Sequence, residues 1–260
     1  YVCESQVASS YWDTDAIQRT PYRQWLEDAK KASFNVVWAP LTDEAREAFD
    51  EQAARDFFES VEGVEYGYFN LLYGWIDSAS GGNFPCLPPD YSSNCLQWEL
   101  LEVVFALIDR VVPSISDQLW NQAWNLRLGT SNLGTAEIYQ EAASRGLESS
   151  EVPAMVELDT YVYNTTRYGE PAMGPSMVCC VFVCNVWKAA GLFDDIDEEI
   201  NCAELTDYDD YRLTLLSGES VQLMGDYAVT LNDLGTRDVY EHYAEDCPTL
   251  PPDYVQPSDC

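Results

Sequence analysis

The segment with the most chemical potential is Met177-Val178-Cys179-Cys180-Val181-Phe182-Val183. The stretch Ser176 to Gly191 reads as a helix, with Val178, Phe182, Val186 and Ala189 on one face and Cys179, Val183, Trp187 and Ala190 on another. A helix apolar almost all round belongs at the centre of a fold. A thiol near the N-terminus of such a helix meets free N–H groups and the helix dipole, which lower a thiol pKa and can later hold an oxyanion. Those are the needs of a cysteine nucleophile, and Cys179 is the candidate. A cysteine on an apolar helix also fits plain packing or a disulfide. The total of nine cysteines is odd, so at least one thiol is left over or intermolecular.

A nucleophilic thiol works with a base within hydrogen-bond reach, and the chain holds one histidine, His242, in its C-terminal tail. Glu4 and Asp77 flank strand or turn segments and are the paired-carboxylate candidates. Asp194, Asp195, Asp197, Glu198 and Glu199 form an acidic run after the helix, which reads as a solvated surface or a weak cation site. No phosphate-cradling glycine loop, HExxH or GxSxG motif occurs.

The elements that must position Cys179 follow from pattern. Tyr1 to Ser5 reads as a strand. Thr20 and Pro21 predict a helix start, with Thr as cap and Pro at the first helical position. Phe34 to Pro40 is β-rich and stopped by proline. Thr42 and Asp43 open a helix with Ala45, Phe49, Ala53, Phe57 and Val61 at helical spacing, ended by Gly63. The stretch Tyr66 to Asp77 is aromatic and glycine-dotted, so its backbone must approach something closely. From Leu96 to about Arg145 the pattern is helical in three runs, one to Arg110, one after Ser114 or Ser116, and one from Thr135 to before Gly146. Tyr161-Val162-Tyr163 is extended, and Tyr227 to Leu231 predicts a late strand.

Composition bounds the function. With 260 residues, 47% of them hydrophobic and 13% aromatic, the chain can pack one large core. Thirteen Lys and Arg stand against 45 Asp and Glu, a net charge of -32. Such a surface repels phosphate backbones, which excludes nucleic acid as a partner. It suits a protein kept hydrated in salt water, or one that attracts calcium, although no spacing specifies a calcium loop. No run approaches the roughly 18 apolar residues of a transmembrane helix.

The cysteines show no CxxC pair of the zinc type and predict disulfides of an exocytic compartment. Cys86 and Cys95 bracket one Pro-rich loop, and Cys247 and Cys260 bracket a Pro-rich tail, so each pair predicts a local ring. Cys3, Cys180, Cys184 and Cys202 are expected to share two further bridges, leaving Cys179 as the thiol. The sequon Asn164-Thr165-Thr166 predicts a glycan on Asn164. The opening residues carry no methionine and no signal-peptide pattern, as expected of a processed or truncated chain.

The run Met177-Val178-Cys179, then Phe182-Val183, then Trp187-Lys188-Ala189-Ala190-Gly191-Leu192-Phe193, resembles the nucleophile helix of circularly permuted papain-like hydrolases, the YiiX-like branch of the NlpC superfamily. Tyr66-Gly67-Tyr68 with Asn70, Gly74-Trp75-Ile76-Asp77, Asn125 to Gly129, Val2-Cys3-Glu4-Ser5 and Ala244-Glu245-Asp246-Cys247-Pro248 are similar to a secreted group of this type in microbial eukaryotes. The resemblance implies that Cys179 is the nucleophile and that the family histidine lies in a Gly-His strand just before the strand at Tyr1. A second family histidine corresponds to Phe69, and His242 resembles a position common to the group with no known catalytic role.

The expected fold is therefore α+β: a single permuted papain-like domain over residues 1–260, with a small, mostly antiparallel sheet packed on the Cys179 helix. A helical insert at about 96–146 and a disulfide-closed tail at about 240–260 decorate it. Two functions stay open, with no cofactor or metal in either. One is a secreted thiol hydrolase of amide or ester bonds; the other is a retired papain-like domain serving as an extracellular structural or interaction module, binding other extracellular proteins or itself. Without the upstream histidine strand, Cys179 is expected to alkylate like an ordinary thiol and the chain to lack turnover. Fast labelling would mean that His242 or another group activates it.

Overall fold

The protein is described by a computed structural model over residues 1–69, 98–153, 155–194, 200–205, 215–217 and 221–225. It is mixed α and β with small antiparallel ladders. Strand β1 (Val2–Gln6) pairs with β2 (Ala16–Thr20) from Val2 opposite Thr20 to Gln6 opposite Ala16. Strand β4 (Tyr163–Arg167) pairs with β5 (Glu170–Gly174).

These two hairpins are joined edge to edge by the short extended segment after Gly63. The Ile17 N–H donates to the Val64 carbonyl at 2.8 Å, and the Glu65 N–H donates to the Thr166 carbonyl at 2.9 Å. Bridges at Ala16 with Glu65 and at Val64 with Arg167 complete the join. The order across this surface is β1, β2, residues 63–65, β4, β5. Gly63 turns the chain into it at φ +84, where a Cβ would meet the Tyr168 ring at 2.5 Å, so only glycine fits. A separate ladder pairs β3 (Val36–Trp38) with β6 (Val221–Met224), with a register shift between Val36 and Val37.

Helix α1 (Tyr22–Lys31) follows β2 directly. The expected Thr20 cap is corrected: Thr20 ends β2, and Pro21 occupies the cap position without a side-chain hydrogen bond. The long helix expected from Thr42 to Gly63 is two helices, α2 (Asp43–Ala48) and α3 (Glu51–Val61). Thr42 caps α2 as expected, its hydroxyl accepting from the Ala45 N–H at 3.1 Å. The break comes where Phe49 turns extended and the Asp50 carboxylate accepts from the Ala53 N–H at 3.0 Å, which starts a second helix. The Asp50 N–H donates to the Ala190 carbonyl at 2.9 Å and ties that break to the end of the cysteine-bearing helix.

The helical stretch predicted over 96–146 comprises α4 (Trp98–Val111), α5 (Pro113–Ser116), a π-helical turn (Asp117–Asn121), α6 (Gln122–Leu128) and α7 (Thr135–Ser144). Its own core holds Trp98, Trp120, Trp124, Leu128, Ile138 and Val152. Asp109 organises it: its carboxylate accepts from the Asn121 side chain at 2.7 Å and from the Thr135 N–H at 2.9 Å, fixing the start of α7. Phe69, Ala123 and Tyr163 form the small apolar junction between these helices and β4.

Helix α8 (Cys179–Ala189) begins later than the expected Ser176, because Ser176 to Val178 run extended into it. It packs on β1 and α3 through a core of Ile17, Phe58, Val61, Met177, Val181 and Phe182. Burial on every side is corrected as well. Cys180, Val181, Phe182 and Cys184 are buried, whereas Cys179 is exposed and Asn185 to Ala189 are half-buried. Beyond α8, Cys184 bonds to Cys202 at an S–S distance of 2.03 Å, inside a second core with Leu192, Phe193, Ile200 and Leu205. The strand expected at 227–231 lies outside the described residues.

Candidate active site

Cys179 is the first residue of α8, with Val178 as its extended cap at ψ 173. The approach to the helix is held by the carbonyl of Met177, which accepts from two donors of the sheet layer. The Ser5 hydroxyl on β1 donates at 2.6 Å, and the Gly67 N–H donates at 3.2 Å. Ser5 and Met177 are 2% and 3% exposed, so this clamp is dry. Within the described part of the Tyr66 to Asp77 stretch, a close backbone approach is made at Gly67.

Tyr66 lies beside Cys179, near enough for the phenol and the thiol to interact electrostatically. Burial, then the Cys179 thiol, hold the Tyr66 hydroxyl above its ordinary pKa. At neutral pH it is therefore a phenol, a donor and not a base. The Tyr66 ring meets the Tyr68 ring edge-on at 5.4 Å between centroids. Tyr68 donates to Asp15 at 2.5 Å, and burial first, then this bond, raise the pKa of Tyr68 too.

Neighbouring α8 from the other side is a buried polar network. Arg127 and Glu157 form an ion pair at 3.0 Å with side chains 1% and 3% exposed, and the Tyr163 hydroxyl donates to Glu157. Asp159 accepts from the Lys188 ammonium at 2.9 Å, from the Cys202 N–H at 3.1 Å and from the Ala203 N–H at 2.6 Å. One carboxylate thereby ties the far end of α8 to the disulfide-bearing segment. A cavity of about 90 Å³ between these groups is lined by Glu157, Asp159, Tyr163, Met177, Val181 and Asn185 among others.

Several sequence-predicted residues fall elsewhere. Cys179 stands as a thiol, and so do Cys3 and Cys180, so the two bridges expected among Cys3, Cys180, Cys184 and Cys202 reduce to the single Cys184–Cys202 bond. The reason is environment. Cys180 packs among Ile17, Phe58 and Phe182 in the apolar core, while Cys3 sits at the surface of β1 beside the charges of Arg19 and Glu62. Burial raises the Cys3 thiol pKa, against the pull of the N-terminus and Arg19. Glu4 alternates to the strand face opposite Ser5, where its carboxylate accepts from the Trp25 indole N–H at 3.1 Å. It is not brought to the Met177 clamp. Asn164 is exposed on β4, its backbone held by the Gln122 side chain at 2.7 Å.

Asp194 is exposed at the end of the α8 segment, and no group of three or more His, Cys, Asp or Glu is placed to hold a metal among the described residues. Asp77, Asp195, Asp197, Glu198, Glu199, His242 and the cysteines 86, 95, 247 and 260 lie outside the described residues. No helix of the described residues is long and apolar enough to cross a membrane.

Tyr66, Ser5 and the Asp159 tie are the site residues that reasoning from sequence missed. Ser5 carried a faint signal as the one small hydroxyl ending a β-rich opening. Tyr66 carried another, in its glycine-flanked aromatic motif. Comparison with protein-family models, with curated proteins and with solved structures finds no match to the chain.

Proposed function

We propose that the chain is a secreted papain-like thiol hydrolase of amide or ester bonds, with Cys179 as nucleophile. One observation carries the reading: Cys179 opens α8 at the surface, with Tyr66 beside it. In this reading the Cys179 thiol gives up its proton as the sulfur adds to the carbonyl carbon, and the N–H groups at the helix start, with the neighbouring Tyr66 phenol, stabilise the oxyanion. The amine or alcohol leaves with the proton given up by the thiol, and water then hydrolyses the thioester to the carboxylic acid and regenerates the Cys179 thiol. The antiparallel layer packed under α8 supports the permuted papain-like fold. So does β1, which carries a ladder on one side only among the described residues. An upstream Gly-His strand would pair on the other side, next to Ser5 and its Met177 clamp. The Cys184–Cys202 bond supports an exocytic compartment.

A second reading, an extracellular structural module on a retired domain, is favoured by the lack of any histidine among the described residues. The test is turnover of a panel of peptide amides and esters by the chain and by the chain extended upstream, each with Cys179→Ala as control. Turnover lost in Cys179→Ala supports the hydrolase. Absence of turnover in both parents supports the module.

A further inference from the structure

Helix α4 is apolar on two sides. Trp98, Leu101, Phe105 and Ile108 turn into the helical core. On another side Leu100, Val103, Val104, Leu107 and Val111 are 61%, 64%, 39%, 59% and 68% exposed. Their spacing is that of a heptad seam: Leu100 and Leu107 fall at d, Val104 and Val111 at a, and Val103 at g. Val at a with Leu at d is the pattern that favours two strands. Glu99, Glu102 and Asp109, the acids of this helix, fall at c and f, away from the seam. In a chain with 45 acidic residues, this stripe carries none.

We infer that α4 is a self-association face, pairing two copies of this chain about a two-fold axis through the Leu100, Val104, Leu107 and Val111 seam. Three observations select a second copy as the occupant. The a and d assignment is self-complementary, so one surface supplies both halves of an isologous contact. Val112 and Ile115, also exposed, continue the patch on either side of Pro113. Together these side chains offer on the order of 600 Å² per copy, about 1,200 Å² for a pair, which reaches the size of stable interfaces. Two heptads are too short to pair as an isolated peptide, but here the domain core holds the helix ready-formed, which removes that ordering cost. The net charge of -32 on each copy opposes association, so the pairing strengthens as salt screens it.

Sedimentation velocity of the full chain over a concentration series, at low and high salt, tests this. A species of twice 29.4 kDa is expected, tighter at high salt, and Leu100→Glu with Leu107→Glu is expected to weaken it by at least ~30-fold while tryptophan near-UV dichroism is retained. Should that variant fail to fold, hydrogen exchange of the unaltered chain gives the answer. Amides of residues 98–111 should lose protection on dilution, in step with dimer dissociation. The inference is overturned by a monomer at every concentration, by a dimer indifferent to both glutamates, or by dilution-independent exchange over 98–111. A monomer that pairs only after residues 226–260 are removed, or that sediments with lipid vesicles through this face, overturns it equally.

Discussion

The Ser5 hydroxyl on the first strand donates at 2.6 Å to the carbonyl of Met177, two residues before Cys179. This buried bond, with the Gly67 N–H on the same oxygen, sets where α8 begins and so where the Cys179 sulfur emerges. Ser5→Ala removes one of two donors. We expect a loss of about 1 kcal/mol in urea denaturation, together with slower labelling of Cys179 as the helix start loosens. Ser5→Thr, which keeps the hydroxyl, should restore the labelling rate more fully than the stability.

The Arg127 and Glu157 pair should be sensitive to single changes. Arg127→Met leaves the buried Glu157 carboxylate without its cationic partner, and should cost ~3–5 kcal/mol in chemical denaturation. Changing both, as Arg127→Met with Glu157→Gln, should recover part of that loss, since no unpaired charge then stays buried.

The Cys184–Cys202 bond closes a loop with a sequence separation of 18. Replacing both cysteines by alanine should cost about 3 kcal/mol, by the loop-entropy scaling for rings of this size. Thermal unfolding of the double variant, compared with the parent in the absence of reductant, measures it.

Glu4 predicts an inverted pH effect. Burial raises its carboxyl pKa, only in part offset by the Trp25 hydrogen bond, and its second oxygen is buried with no partner among the described residues. The folded state thus holds the proton more tightly than the unfolded one. The stability this gives is full below the unfolded value near 4.5 and is lost as pH rises through the folded value. Glu4→Gln should therefore be more stable than the parent at pH 7, with the advantage shrinking toward pH 4. The difference between the two denaturation curves isolates this group from the other acids.

At the alkaline end the sign is the same and the groups are phenols. Tyr66, Tyr68, Tyr139 and Tyr163 are all raised, each first by burial. The unfolded chain releases these protons near pH 10 while the folded chain keeps them, so stability falls as pH climbs above ~10. Absorbance at the phenolate band should rise in two stages, the second coinciding with unfolding.

The elements that sequence reveals best are those set by local pattern. The α8 run is apolar with no strand alternation, Thr42 and Gly63 punctuate where they should, and the three helical runs after residue 96 carry their own periodicity. What stays hidden is long-range. Strand β2 holds a single strongly apolar residue, Ile17, and owes its existence to pairing with β1 and Val64. The break at Asp50 depends on the Ala190 carbonyl, far along the chain, accepting its N–H. For the site, the composition of the helix start points to Cys179. Tyr66 reaches it only because Gly67 docks on Met177, a tertiary contact that leaves no periodic trace. The bridge expected through Cys3 and Cys180 fails for a similar reason, since counting cannot tell that Cys180 faces the apolar core.

If Cys179 is an activated thiol, its alkylation kinetics will show it. Ordinary reactivity is what sequence predicts in the absence of a histidine; the proposed activation comes from the helix start and the neighbouring Tyr66 phenol. Iodoacetamide at pH 7, followed by intact mass and peptide mapping, should label Cys179 first and stoichiometrically. Its rate should be at least about tenfold faster than for the same residue in the urea-unfolded chain, with Cys3 slower and Cys180 protected. Tyr66→Phe should remove most of that advantage without unfolding the protein. Equal rates in the folded and unfolded chains, or a map that finds Cys179 in a disulfide, would contradict the hydrolase account and leave the structural module in its place.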